Sequence, residues 1–268
     1  SCMVRPYEVH PGETDRARIA GMQTFSEAIA GRLNKIEAAR RVVESFLAIE
    51  TEGPPRPKVA IFGDLYVRDN DIMNQDLIRV IEAHGAEALT TPYTEYTRII
   101  AVPYLRKWFR EGNYKDVALS MPLLLGLELI QRRFNREFSR VVGKTRVRRS
   151  YGKPEELIAR FGVSMYHTGE SFDNLLKIFH LLQRHPDLAL FVQTNPAFCC
   201  PSIVTEAMAA DIERECGVPV VTVTYDGTAS QKNDLVVPYL ELSASTKRAS
   251  TATAPWPSRR TISGFTSS

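Results

Sequence analysis

The chain has 268 residues, 44% of them hydrophobic, which is enough for one large or two smaller globular units with a buried core and excludes a short disulfide-stapled or fibrous protein. The formal net charge is +3. Four basic residues and no acidic ones lie in the last 26 positions, so residues 1–242 carry 30 basic against 31 acidic residues. A body this close to neutral gives no argument for nucleic-acid binding, and we expect no nucleic-acid partner.

The N-terminal stretch has helical periodicity. Glu13, Thr14 and Asp15 offer capping and acidic residues, and apolar residues follow at near-helical spacing as far as Leu47, which predicts one long or bent helix. A proline-rich linker, Gly53–Pro57, ends it. We interpret residues 1–53 as a helical segment left from a preceding unit, so that the N-terminal part of the protein is truncated.

A first β-α-β unit follows the linker. Val59–Phe62 is a short apolar run, typical of a buried strand. A helix around Leu77–Ile81 ends at Gly85, and a second strand is predicted near Ala88–Thr91. The length of this connection implies parallel strands joined by a right-handed crossover.

Helices are predicted from Arg98 to Arg110 and from Val117 to Val141. The second contains the most apolar stretch of the chain, Val117–Ile130, which is about half as long as a membrane span and is interrupted by Pro122. We therefore expect a buried helix there and no membrane partner. A basic connector, residues 144–153, leads to a further helix at Glu155–Phe161.

A second β-α-β unit is predicted near the end of the body. A helix at Phe172–Gln183 precedes a strand at Leu188–Val192, and another helix running towards Cys216 precedes a strand at Val220–Thr224. Residues 57–242 thus form an α/β region whose ligand sites are expected at the carboxyl ends of its strands. The tail 243–268 holds twelve Ser or Thr residues and no apolar periodicity, so we expect it to be disordered.

Cysteines are the strongest chemical signal. Only four occur, and Cys199 and Cys200 are adjacent, a spacing that suits neither a disulfide framework nor a CxxC pair and favours a reducing, cytoplasmic setting. If Pro201 is the first helical residue, Cys200 is the N-cap, and the positive end of the helix dipole favours the ionised thiols that iron–sulfur clusters and zinc require. The alternatives are one ligand with one supporting thiol, or two small buried apolar residues on a turn.

Other candidates are weaker. Cys216 precedes Gly217 at a predicted helix end, where the dipole opposes a thiolate, so a structural role is favoured. The loop from Asp64 to Asp71 follows a strand but lacks calcium-loop spacing, and Asn70 or Asp71 is predicted to cap a helix. Asp226-Gly227 suits a turn. His167 with Glu170 could act as an acid and base pair. No HExxH, GxGxxG or P-loop motif occurs.

Several motifs occur together in one order along residues 1–240. They are Arg5-Pro6-Tyr7-Glu8 with Pro11-Gly12-Glu13-Thr14-Asp15, Phe62-Gly63-Asp64-Leu65-Tyr66-Val67-Arg68-Asp69-Asn70-Asp71, Thr91-Pro92-Tyr93, Gly169-Glu170, Asn195-Pro196-Ala197-Phe198-Cys199-Cys200-Pro201 and Thr224-Tyr225-Asp226-Gly227-Thr228. In this the chain resembles the 2-hydroxyacyl-CoA dehydratase superfamily, in particular the dehydratase-like region of large acyl-CoA dehydratase activase-related proteins. The Asp-rich loop and the Asn-Pro-Ala-Phe-Cys-Cys-Pro run are the most specific parts of the resemblance.

The resemblance implies an oxygen-sensitive, cytoplasmic protein of anaerobic metabolism, built from flavodoxin-like α/β units, whose cysteines hold an iron–sulfur cluster of the 4Fe-4S type or larger. An activator ATPase domain or subunit would inject a low-potential electron, which the cluster passes to an acyl-CoA for dehydration or reduction. The matching ligand candidates are Cys2, Cys199 and Cys200. A homo- or heterodimer is compatible with this reading.

The chain also departs from the family pattern. A cuboidal cluster usually takes three or four protein ligands, and the glycine-rich loops of the ATP-using activator do not occur in this sequence. We therefore expect no ATP hydrolysis by this chain alone. The alternative function is a cluster-free scaffold or binding fragment of the same fold without independent activity.

Overall fold

The computed structural model describes residues 1–91, 93–142, 154–164 and 170–242, a few of them by their backbone alone. Within these ranges the chain forms four strands and ten α-helices with defined bounds, and residues 237–242 are also helical. In chain order they are α1 (Glu13–Ile29), α2 (Lys35–Leu47), β1 (Lys58–Gly63), α3 (Leu65–Asp69), α4 (Leu77–Ala83), β2 (Glu87–Thr90), α5 (Tyr93–Arg110), α6 (Tyr114–Val142), α7 (Pro154–Ala159), α8 (Glu170–Arg184), β3 (Leu188–Pro196), α9 (Cys200–Ala207), α10 (Ala209–Cys216) and β4 (Val220–Tyr225).

The four strands form one parallel sheet in the order β2-β1-β3-β4. β1 and β4 are rich in β-branched and aromatic residues, and all four strands are buried along most of their length, as expected of parallel strands with helices on both faces. The predicted α/β class and the parallel pairing of β1 with β2 and of β3 with β4 are confirmed.

Alternate side chains of the strands enter two separate cores. Ala60 and Phe62 pack with α8 and α10 on one face, and the rings of Phe62 and Phe191 meet edge to face with centroids 5.8 Å apart. Val59 and Ile61 point to the other face and pack with α3 and α4. The period of two along β1 therefore decides which helices each side chain touches.

The N-terminal helix is broken, contrary to the prediction of one long or bent helix. α1 ends at Ile29, and α2 begins after Asn34, whose side chain accepts hydrogen bonds from the amides of Ile36 (2.9 Å) and Glu37 (3.3 Å). Gly31 has a φ of 77°. A left-handed glycine followed by an N-cap asparagine ends one helix and starts the next, so that α2 folds back on α1.

Two other helix predictions need correction. The helix predicted to run as far as Cys216 is two helices, α9 and α10, separated at Met208. The apolar stretch 117–130 is helical within α6 but is not buried: Leu119 is 72% exposed and Leu123 is 75% exposed. The apolar composition of this stretch therefore does not reflect burial within the described chain.

Several sequence predictions lie outside the described residues. These are the basic connector 144–153, the loop that contains His167 and the tail 243–268, while the side chain of Glu170 is also not described.

Candidate functional site

The site predicted at the carboxyl ends of the strands lies where the strand order reverses. The chain passes from β1 to β2 on one side, and β3 adds on the other side of β1, which makes the crevice above β1 and β3 the expected ligand position in an open α/β sheet. The loop after β1 begins with Asp64, and the loop after β3 leads through Cys199 to Cys200, the first residue of α9. The two most specific sequence motifs therefore start from adjacent strands.

The backbone at this point is tightly packed. Gly63 has a φ of 109°, and a Cβ built there would lie 2.4 Å from the carbonyl oxygen of Thr194. The Asp64 amide donates to that same oxygen (2.9 Å), and the Thr194 hydroxyl donates to the carbonyl of Phe62 (3.1 Å). Only glycine allows this close approach, so the position of the β1 loop depends on the absence of a side chain at residue 63.

The cysteine loop is held in a strained turn. After β3 ends at Pro196, the amide of Ala197 donates to the carbonyl of Tyr225 (2.9 Å), and Phe198 adopts a φ of 63° with 93% of its side chain exposed. Cys199, not Cys200 as predicted, is the N-cap of α9, and Cys200 is the first helical residue. One half-buried and one exposed free thiol thus stand at the N-terminus of α9, where the helix dipole favours negative charge.

Asp64 and its neighbours have structural partners. The Asp64 carboxylate caps α3 by accepting from the amides of Tyr66 (3.0 Å) and Val67 (2.9 Å). Arg68 is fully buried and pairs with Asp69 at 2.7 Å. Asn70 accepts from the amides of Ile72 and Met73 in the turn that follows α3. It ends α3, and α4 begins only after Asp76, so the prediction that Asn70 or Asp71 is a helix N-cap is wrong.

A buried polar layer under the cysteine helix was missed by the sequence analysis. The Gln193 amide donates to the carbonyl of Ser202 (2.9 Å) and to the Asn195 side chain (3.1 Å), and Asn174 on α8 contacts Thr205 on α9 (3.5 Å). The sequence did contain a signal for this layer. It is the polar run at the end of β3, which follows the apolar stretch from which the strand was predicted. The layer ties α9 to the end of β3 and so fixes where the thiols stand.

Two atoms of this layer have no hydrogen-bond partner among the described residues. They are the Gln193 Oε1 and the Asn195 Nδ2, and both residues are almost completely buried. Buried polar atoms usually find a partner in a protein or in ordered water. These two are thus the polar groups of the layer that still have bonding capacity.

The third loop at the carboxyl end of the sheet follows β4. The Asp226 carboxylate accepts from the Thr228 amide (3.0 Å), the Thr228 hydroxyl (2.7 Å) and the Lys232 ammonium (2.9 Å). These bonds hold the pKa of Asp226 well below its usual range. Asp226 therefore organises the turn that the sequence predicted at this position.

Cys2 lies in the N-terminal segment. Arg5 pairs with Glu82 at 3.0 Å, and the Tyr7 hydroxyl donates to Glu87 at 2.8 Å, which fixes this segment beside the start of β2. Cys2 itself packs against the core on the α3 and α4 face. Among the described residues, Cys2, Cys199 and Cys200 do not come together as a group of three metal ligands.

The fourth cysteine, Cys216, is buried at the end of α10. Burial raises the pKa of its thiol, which donates to the carbonyl of Val218 (3.5 Å).

Among the described residues, no group of three or more His, Cys, Asp or Glu side chains is placed to hold a metal ion. In that same part of the chain no helix is both long and apolar enough to cross a membrane.

Comparisons with models of protein families, with curated proteins and with solved structures gave no match to this chain.

Proposed function

We propose that this chain is a cytoplasmic iron–sulfur protein of the 2-hydroxyacyl-CoA dehydratase and activase type, which passes low-potential electrons in acyl-CoA dehydration or reduction. The observation that carries the proposal is the pair of free thiols, Cys199 and Cys200, at the N-terminus of α9. They stand beside the point where the strand order reverses, the usual ligand position of such a sheet. The order 2-1-3-4 also supports a flavodoxin-like arrangement, which begins in the same way.

The donor chemistry at α9 fits part of a cluster site. Thiolates are the usual ligands of iron–sulfur clusters, and the helix N-terminus supplies the positive potential that favours them. A cuboidal cluster takes three or four protein ligands, and Cys2 is held elsewhere by its packing against the second core. We therefore assign Cys199 and Cys200 as ligands, with the remaining ligands supplied from outside the described residues or by a second chain.

A bound cluster would supply a centre that accepts and releases single electrons at low potential. The residues of this chain would position it. Gly63 lets the Asp64 loop lie against the end of β3, and the polar layer around Gln193 and Asn195 holds the first turn of α9. The exposed surface at Cys200 and Phe198 is where an activator ATPase domain or subunit, or an acyl-CoA, would approach.

Anaerobic reconstitution with ferrous iron and sulfide tests the proposal. We expect the full chain to bind iron and sulfide in similar amounts and to gain a visible absorption band that bleaches in air. The double variant Cys199→Ser, Cys200→Ser should lose both. The matched control Cys2→Ser should retain them, because Cys2 does not join the two thiols of α9 in a group of three ligands among the described residues.

Iron binding that is unchanged in the double variant would overturn the assignment of the two ligands. Loss of iron in the Cys2→Ser variant alone would contradict the separation of Cys2 from the site. Circular dichroism and a urea transition of each variant show whether a loss of iron comes from a loss of folding.

The second candidate is a cluster-free scaffold or binding fragment of the same fold. The observation that favours it is that the described residues bring only two thiols together. It predicts a folded, colourless protein whose thermal midpoint does not change with iron chelators. A reconstituted brown protein that loses stability on chelation would reject it.

A further inference from the structure

The first turn of α9 has two backbone donors without a helical acceptor. The first amides of any helix lack an acceptor within that helix. Here Pro201 has no N–H, and the amide of Ile203 already donates to the carbonyl of Cys199 (3.0 Å). The remaining donors are the amides of Cys200 and Ser202. Within the described part of the chain, the N-cap residue Cys199 makes no side-chain capping bond to them.

The direction of α9 sets where these donors lie. The helix begins directly after β3, and with α10 it returns the chain to the start of β4, which is parallel to β3. The N-terminus of α9 therefore lies at the carboxyl end of β3. The positive end of the helix dipole favours negative charge there, but a helix end by itself does not establish a site.

A buried donor of β3 lies beside the same helix end. Gln193 is under the first turn of α9, because its Nε2 donates to the carbonyl of Ser202 (2.9 Å). Asn195 contacts Gln193 on the same face of the strand, about 6.6 Å closer to the carboxyl end. The carboxamide of Asn195 is therefore level with the N-terminus of α9 and not with its middle.

The orientation of the Asn195 carboxamide is fixed by its neighbour. Its Oδ1 accepts from Gln193 Nε2 (3.1 Å), and the opposite orientation would set two N–H groups against each other. The Nδ2 group thus points away from Gln193, and it has no acceptor among the described residues. Asn195 is only 2% exposed, and an unpaired donor at that depth is unfavourable. A ligand oxygen that accepts from Nδ2 removes this penalty.

The three donors select the charge of the ligand. All of them are N–H groups beside a positive dipole end, so a cation gains nothing from them and a negatively charged oxygen gains most. Burial of Asn195 strengthens such a bond, because little water screens it. The unpaired acceptor of the layer, Gln193 Oε1, belongs to a residue one step deeper on β3, so it is directed at the layer and not at the helix end.

We propose that the N-terminus of α9 binds an oxyanion, a phosphoryl or carboxylate group, whose oxygens accept from Asn195 Nδ2 and from the amides of Cys200 and Ser202. The proposal does not rest on the iron–sulfur cluster, because neither thiol is among the three donors.

Nuclear magnetic resonance of the ¹⁵N-labelled full chain, titrated with inorganic phosphate, tests the site. With ionic strength held constant by sodium chloride, we expect saturable shifts of the amides of Cys200 and Ser202 and of the Asn195 side-chain NH₂. A parallel titration with sodium acetate distinguishes the two classes, since the tighter anion identifies a phosphoryl or a carboxylate ligand. The absence of saturable shifts with both anions, or shifts at other residues only, would overturn the proposal.

The Asn195→Leu variant tests the buried donor. Loss of one hydrogen bond to a charged group should raise the dissociation constant of the bound anion about 10-fold or more. The matched control is Asn174→Leu in the same layer, because Asn174 contacts Thr205 (3.5 Å) and not the helix end; its constant should change less than about 2-fold. Circular dichroism shows whether each variant is folded. An unchanged constant in folded Asn195→Leu, or an equal rise in the control, would refute the role of Asn195.

Discussion

The contact between Gly63 and Thr194 predicts a large loss of stability on adding one methyl group. In a Gly63→Ala variant the new Cβ would lie 2.4 Å from the Thr194 carbonyl oxygen and 2.9 Å from its amide nitrogen. Both neighbours are backbone atoms of a central strand, so neither can rotate away. The strands must separate at this end, which also weakens the 2.9 Å bond from Asp64 to Thr194.

The magnitude follows from two contributions. The positive φ of 109° costs an alanine about 1 to 2 kcal/mol, and overpacking against fixed atoms costs about 1 to 3 kcal/mol more. We expect Gly63→Ala to lower the free energy of unfolding by about 3 kcal/mol. The control is Gly85→Ala, where φ is 79° and nothing lies within 4 Å of the added Cβ, so that only the backbone cost of about 1 kcal/mol remains.

Urea unfolding of the two variants, followed by far-ultraviolet circular dichroism, separates the contributions. Because both positions carry the backbone cost of a positive φ, the difference between the variants measures mainly the steric overlap at Thr194. If Gly63→Ala and Gly85→Ala differ by less than about 0.5 kcal/mol, the close approach of β1 to β3 is absent and the reasoning fails. If the overlap is real, Gly63→Ala should also reduce iron binding, because the β1 loop moves away from the end of β3.

Two further predictions concern the caps and the turns. Asn34→Ala removes the side-chain oxygen that caps α2 and should lower the free energy of unfolding, measured in urea, by about 1 kcal/mol. The pKa of Asp226 is lowered in the folded chain, so its contribution to stability is fully present above its unfolded pKa of about 4 and is lost as pH falls below that value. The thermal midpoint of Asp226→Asn should therefore decrease less between about pH 5 and pH 2 than that of the unsubstituted chain, and an equal decrease would refute the bonds to Thr228 and Lys232.

The strands were predictable because their signal is local. Val59–Phe62 is a run of apolar residues bounded by a proline linker and a glycine, and these patterns predict a buried strand without knowledge of its neighbours. The reversal of strand order is different. β3 lies against β1 because of contacts such as that between Phe62 and Phe191, which are 129 positions apart, and no local pattern encodes that choice.

The helix errors have distinct physical causes. The break before Asn34 was detectable, since Gly31 and Asn34 are the residues that end and begin helices, but the apolar periodicity that continues across them hid it. The break at Met208 has no such signal, because Met208 itself keeps right-handed helical dihedral angles. The exposure of Leu123 could not be inferred from composition. An apolar side chain favours burial, but its hydrophobicity does not show whether the surface that buries it belongs to the same chain.

The cysteine residues were found by their chemistry, whereas the polar layer beneath them required the fold. Gln193 and Asn195 alternate with Thr194 along β3, so they enter the face that holds α8 and α9. Their role depends on how α8 and α9, the helices before and after β3 in the chain, pack on that face of the sheet. A strand prediction that stops at Val192 therefore misses the groups that position the thiols.

The strained turn at Phe198 bears on whether the site is complete within this chain. A non-glycine residue at a φ of 63° costs about 1 kcal/mol or more, and the ring of Phe198 is 93% exposed, so burial within the described chain does not offset that cost. Strain of this kind persists where function requires a fixed geometry. The turn directs Cys199 and Cys200 to the N-terminus of α9, beside an aromatic ring that a bound partner could cover. If the proposed cluster binds at these thiols, this combination favours a site whose remaining ligands come from a second surface that also covers Phe198.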